Sequence, residues 1–488
     1  MTLPSIPQAM QRGPLGGVID PDSTPTIRGA ARPPESSISR TPIVGPAFQP
    51  TNKLSRQARD WALFALIVGY PLWRLLGFTL FIIPLLGIPM ALELYRRRRI
   101  KLPAGFGFLA LLLLVALVGV LMLGKTPPFA LPPAPGIGRY LAWAQRLGDF
   151  LTAAIILLYV GNLSERELPT KRVVKMLSAL FLMVVVGGYL GMLLPNTTLQ
   201  SPMSHVLPHS LKANSFVQLL TTVQFAQVQD VIGSPKPRPD FPFTYTNGWG
   251  EAVVLLAPFF FVAMLQGTKK LSRRIWVGAV LVAALVPTIY SLNRGMWGGI
   301  AIAIAYVLYR FARTGRALQV AVTLGAIALV AVIVLVTPLS AVISGREANP
   351  KSNDGRANIN SAAFAAAKSS PFIGYGGLAN ERGSGRTITA GPTAKCPTCG
   401  TLTIGGSGQM WQLLITTGFL GTGAYIAFLV RFGWRYRRDS SPIGMIGMIT
   451  VLVSLLFMTV YSALDLPLMI IMIALGLWWR HSENRLVE

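Results

Sequence analysis

A series of apolar runs, each near the length of a membrane-crossing helix and separated by short basic connections, constrains this chain more than any other feature. A spanning helix takes roughly 20 predominantly apolar residues, and fewer where protein covers it. By that measure the runs lie at about 61–73, 75–94, 103–123, 140–161, 173–194, 249–266, 275–291, 296–310, 318–337, 409–430, 443–463 and 467–480. The composition excludes an ordinary soluble protein: 52% of residues are hydrophobic, 13% are charged, and the mean hydropathy is +0.53. The expected fold is all-α, a polytopic membrane helical bundle with about 12 transmembrane helices.

The formal charge of +26 does not point to nucleic acid. A nucleic-acid binder concentrates Lys and Arg on one face of a folded domain, whereas here they sit mainly between apolar runs. Arg96 to Arg99 with Lys101, then Arg166/Lys171/Arg172, Lys269/Lys270/Arg273/Arg274, Arg310/Arg313/Arg316 and Arg431/Arg435/Arg437/Arg438 follow alternate spans and so share one face. The excess of Lys and Arg on cytoplasmic loops makes that face cytoplasmic. Both termini are then expected in the cytoplasm of a bacterial cytoplasmic (inner) membrane. No cleavable signal peptide is expected, because the first apolar run starts only near Trp61 and many follow. Residues 1–60, rich in Pro, Ser, Gly and Arg without hydrophobic periodicity, are expected to form a disordered cytoplasmic tail, leaving 61–488 as the transmembrane domain.

The opposite face carries two long connections, about 195–248 and 338–408. Loops of this length concentrate function. Within and beside them stand Arg238, Arg294 and Arg356, cations on the face where the positive-inside rule does not call for them. Arg294 lies in Ser291-Leu-Asn-Arg-Gly-Met-Trp-Gly298, between two apolar runs with almost no loop. Arg238 opens Arg-Pro-Asp-Phe-Pro-Phe-Thr-Tyr-Thr-Asn247, and Arg356 opens an Ala-rich stretch of good helix propensity. Guanidinium groups bind phosphate bidentately and stay charged, so their convergence would suit a lipid-linked pyrophosphate. Helix capping or snorkelling to headgroups is the competing role for each.

Other groups carry less. Glu251, at the start of the sixth run, and Asp354 are the acid/base candidates on this face, with a carboxylate favoured by a helix N-terminus as the plainer account of Glu251. His205 and His209 are spaced for a metal, but Pro208 separates them and no Cys or carboxylate cluster joins them, so no metal site is expected. Cys396 and Cys399 read as a local disulfide in an oxidising compartment, since neither further zinc ligands nor a thioredoxin-like context accompanies them.

Arg238-Pro-Asp-Phe-Pro-Phe-Thr-Tyr-Thr-Asn-Gly, Ser-Leu-Asn-Arg-Gly, Arg356…Ala363…Ser370-Pro-Phe-Ile-Gly-Tyr-Gly376 and Gln412-Leu-Leu-Ile-Thr-Thr-Gly-Phe-Leu-Gly421 occur in an order and spacing that resembles the O-antigen ligase and polymerase superfamily. The resemblance covers most of the chain from Trp61 onward. It implies a GT-C-like architecture and, without metal or cofactor, transfer of a glycan from an undecaprenyl-pyrophosphate carrier to a sugar hydroxyl of an acceptor glycan or glycolipid. The pyrophosphate and glycan would be held by Arg238, Arg294, Arg356 and Asn247, with Arg294, Glu251 and Ser407 at the chemistry. Ser407 marks a departure. Ligases of this superfamily place a His, often followed by Asn, eleven residues before the first Gly of the Gly-x-x-Gly segment, and counting back from Gly418 reaches Ser407 and then Gly408. A neutral serine has no useful basicity near pH 7, which tilts the reading from ligase toward polymerase. A transporter or flippase of a lipid-linked or anionic substrate and a non-catalytic envelope scaffold are the alternatives. The absence of an internal repeat and the boundary position of the arginines favour the enzyme.

Overall fold

The computed structural model describes residues 53–133, 136–208, 215–230, 235–266, 269–336, 351–382 and 402–487. The protein is a predominantly helical integral membrane protein, and each apolar run coincides with helix. In order these are α1 (Lys53–Ile67), α2 (Tyr70–Leu76), α3 (Thr79–Tyr95), α4 (Phe106–Val118), α5 (Gly138–Asn162) and α6 (Thr170–Leu193). After the first long connection, with its short helices α7 (Pro202–Val206) and α8 (Ser215–Thr221), come α9 (Thr246–Leu265), α10 (Leu271–Tyr290), α11 (Arg294–Arg313) and α12 (Ala317–Val336). The second connection contains α13 (Lys351–Ser369), and α14 (Gln409–Tyr436), α15 (Pro442–Phe457) and α16 (Leu466–Val487) complete the order.

Among the described residues, six helices are long and apolar enough to cross a membrane by length and composition: α5, α6, α9, α10, α11 and α14. Several of the other runs form shorter helices or are broken, while α12 and α16 are long, unbroken helices outside that group. The first run breaks between α1 and α2, and Gly77 ends α2 in the left-handed region at φ 81°. α3 carries Pro84 and Pro89 within its 17 residues, and α15 has 16. The fold is also not purely α. Short antiparallel ladders pair β1 (Thr198–Gln200) with β2 (Thr222–Gln224), β3 (Ala226–Asp230) with β4 (Pro235–Pro239), and β5 (Ala379–Asn380) with β6 (Thr403–Ile404). Helix also begins at Lys53, inside the stretch assigned to the tail, and its Asp60 pairs with Arg172 of α6 at 2.7 Å. Residues 1–52 lie outside the described residues, as do His209, Cys396 and Cys399.

The core centres on α16, where Leu466 to Trp479 is buried almost without interruption. A helix apolar all round belongs inside a bundle. α5 and α15 pack against it, α6 packs on α9, and α4 on α14. α12 is just as apolar but largely exposed, the pattern of a lipid-facing helix. Because lipid tails are as apolar as Leu, close packing rather than expulsion of water must hold these helices together.

The basic connections meet at one end. Arg97 pairs with Glu167 at 2.8 Å, Arg480 reaches the Leu163 carbonyl and Glu165, and Arg310 donates to the Asp439 carbonyl. The two long connections belong to the other end, called here the loop end.

There, two sequence motifs explain each other. α14 breaks at Gly418, with non-helical φ 64°, ψ −164°. The freed backbone is taken up by the Ser370–Gly376 segment: Tyr375 N and Gly376 N donate to the carbonyls of Ile415 and Thr416, and Leu420 N donates to that of Pro371. Non-helical backbone at this depth survives only where other protein satisfies it. Gly374 has φ +61°, and a Cβ there would come 2.5 Å from the Thr417 nitrogen, so neither the backbone angle nor the space admits a side chain. This seam seats α13 on α14 and so sets the position of Arg356.

Candidate active site

Three segments far apart in sequence converge at the loop end. Arg238 is on β4, and the β3–β4 hairpin is docked on the start of α9. Gln227 Oε1 accepts from both Thr246 N and Thr246 Oγ1, and Thr246 Oγ1 also lies 3.2 Å from the Arg238 carbonyl. The Gln227 side chain thus supplies the acceptor that the orphan donors of a helix N-terminus require. Arg238 itself is buried, and its Nε donates to the Ser291 carbonyl at 2.7 Å.

Ser291 opens the tight corner between α10 and α11. Leu292 sits at φ 53°, rare for a branched residue, and this turns Asn293 inward and starts α11 at Arg294. Asn293 is buried, donates to the Thr246 carbonyl and accepts a hydrogen bond from the hydroxyl of Tyr461. Gly295 makes room for that hydroxyl, since a Cβ at this position would collide with the Tyr461 phenol oxygen.

Tyr461, between α15 and α16, is the hub. The charges of Arg238, Arg356 and Glu251 all act on its buried hydroxyl. Its carbonyl accepts from Gln409 N at 2.6 Å, tying it to the start of α14. Arg356 lies on α13. Burial lowers its pKa, Tyr461 opposes the shift and the neighbouring Arg294 adds to it.

The remaining candidates take distinct places. Glu251 is fully buried in α9, and neither carboxylate oxygen has a hydrogen-bond partner among the described residues. Asn247 is half-buried at the start of the same helix. Ser407 is buried and donates to Asn360 of α13, one helical turn after Arg356. The position that departs from the ligase pattern therefore anchors the helix that carries an arginine. His205 is exposed on α7. Asp354 lies on α13 close to Arg356 in sequence.

Tyr461, Asn293, Asn360 and Gln409 were not anticipated. Asn293 stands inside the Ser-Leu-Asn-Arg-Gly motif and was legible there. Tyr461 had no such signal, because a tyrosine at the end of an apolar run is the ordinary composition of a membrane boundary.

Elsewhere at the loop end, Arg74 of α2 is wholly buried. It donates to the carbonyls of Leu220 and Thr222, with Asp240 and Asp465 in its field. It ties α2 to the first long connection.

The family model described as O-antigen ligase matches residues 285–394, a segment that holds Arg294 and Arg356 but ends before Ser407. The match bears out the resemblance read from the motifs over that segment. No curated protein matches the chain.

Proposed function

We propose that this protein is a membrane glycosyltransferase of the bacterial cytoplasmic membrane that assembles a surface polysaccharide. It moves glycan from an undecaprenyl-pyrophosphate carrier to a sugar hydroxyl at the outer face. The placing of Arg238 and Arg356 in the field of Tyr461, with Arg294 in turn in the field of Arg356, carries this reading. The acceptor oxygen attacks the anomeric carbon; the new C–O bond forms as the bond to the phosphate oxygen breaks. The lipid pyrophosphate leaves with the electron pair, and the hydroxyl proton passes to water or to a phosphate oxygen. Negative charge thus builds on the leaving group, where fixed guanidinium donors in a partly dehydrated site act most strongly. Arg294 and Arg356 take the pyrophosphate, and Arg238, locked to the Ser291 carbonyl, holds the corner in register.

Ser407, bonded to Asn360, positions α13 and does not remove the proton. That supports a polymerase over a ligase. The twelve helical runs are read as twelve crossings of a GT-C-like bundle with both termini inside, the long connections facing outward, and the residues before α1 as a cytoplasmic tail. Arg294→Ala is expected to abolish polymer formation in cells while folded protein persists in the membrane; product of normal length and yield would sink the assignment. Deleting the gene separates the two activities: glycan shortened to one repeat unit means a polymerase, and full-length but lipid-linked glycan means a ligase.

A further inference from the structure

α13 has a second working flank. With about 3.6 residues per turn, Arg356 and Asn360 lie on one side of the helix. Ile359, Ala363, Ala366 and Ala367 form the buried strip between, and Asn358, Ser361 and Ala362 fall on the other side. Those last three line a cavity of about 440 Å³ together with Thr126, Phe129 and the Glu381–Arg382 pair. The volume lies within the roughly 300–1,000 Å³ typical of small-ligand sites.

The cavity is built on paired backbone. Leu131 N donates to the Asn380 carbonyl and Arg382 N to that of Phe129, both at 2.8 Å, while Ala130 bridges Glu381 and Glu381 N donates to the Leu402 carbonyl. Ala130 and Ala362 belong to a small apolar cluster with Ile404 and Ile415, which makes the floor firm. This pairing holds Phe129 at φ 60°, a conformation that costs on the order of 1–3 kcal/mol for a residue other than glycine. The residue is nonetheless 67% exposed and lines the cavity, so burial of its side chain does not repay the strain.

We infer that this cavity is a saccharide subsite that takes an uncharged pyranose residue of a glycan substrate whose reacting end lies at the arginines. An open aromatic face suits the C–H face of a pyranose. Vicinal hydroxyls need donors and acceptors together, and the lining offers the Asn358 amide, the Thr126 and Ser361 hydroxyls, the Glu381 carboxylate and the Arg382 guanidinium. Glu381 and Arg382 cancel in formal charge, which selects neutral sugars over uronates. The two flanks are separated by one helix diameter, on the order of 10 Å, so the subsite grips a sugar other than the one that reacts. The assignment rests on the glycosyltransferase reading for its biological meaning, but its test does not.

Full-length protein in detergent is titrated with free di- to tetrasaccharides, neutral and uronate-bearing, and binding is followed by ligand-observed NMR. Neutral oligosaccharides are expected to bind, and Phe129→Ala and Asn358→Ala to weaken them about tenfold. Phe129→Tyr, which keeps the ring, should retain binding, and His205→Ala, exposed on α7, should leave it unchanged. No binding by any sugar, stronger binding of uronates, or indifference to Phe129→Ala and Asn358→Ala in protein of unchanged melting temperature overturns the subsite. If Arg294→Ala makes normal polymer in cells while neutral sugars still bind, the catalytic reading fails and the subsite stands.

Discussion

Tyr461 shows how one hydroxyl joins segments that the sequence keeps far apart. It bonds to Asn293, lies in the fields of Arg238, Arg356 and Glu251, and through its carbonyl holds Gln409. Tyr461→Phe strands a buried acceptor on Asn293, which costs about 1–3 kcal/mol. A fall in the detergent melting temperature together with loss of polymer yield is expected, whereas an unchanged melt would show that the hydroxyl is not holding the corner. Gly295→Ala attacks the same contact sterically, and the two substitutions together should cost less than the sum of the singles.

At the scale of elements, the break in α14 and the segment that fills it form one device. Gly374→Ala is expected to lower stability by about 1–3 kcal/mol, from the strained φ and the loss of the 370–376 seat. Limited proteolysis should then cut near α13 before the rest of the bundle; resistance equal to wild type would contradict the coupling. The start of α16 carries a pH response. Burial pushes the Asp465 carboxyl up to about 6, and Arg74 pulls against it. A carboxyl raised in the folded state contributes stability that is full below its unfolded value of about 4 and is lost as pH rises through the folded value. The melting temperature should therefore fall from pH 5 to pH 7, and Asp465→Asn should flatten the fall.

For the whole molecule, the arrangement of ends matters most. Ion pairs and carbonyl contacts gather the basic connections at one end, and the site arginines, the cavity and the long connections share the other. Reporter fusions after Gly383 and Arg274 should read outside and inside respectively. The reverse pair would turn the site toward the cytoplasm and end the lipid-pyrophosphate reading, which needs the outer face. The exposed, apolar α12, packed on α11, and the sealed α16 should also respond differently to mutation: a polar residue in α16 is expected to unfold the core, while one on the exposed face of α12 is expected to leave the core folded.

Apolar periodicity alone located every helix that crosses the bundle, and the Lys and Arg between them sorted the connections into two ends, because transfer into lipid acts on each segment independently. Hydropathy does not register where a run is broken, as at Gly77, which ends α2 inside one of the runs. The arginines were legible as cations out of place. That Arg238 and Arg356 share the field of one tyrosine with Arg294 beside Arg356, that Ser407 bonds to α13, and that Phe129 lines a cavity were decided by tertiary structure. Those relations depend on a hairpin docked through Gln227, a left-handed Leu292 and a broken α14, each a long-range fit between backbone segments that no local pattern encodes.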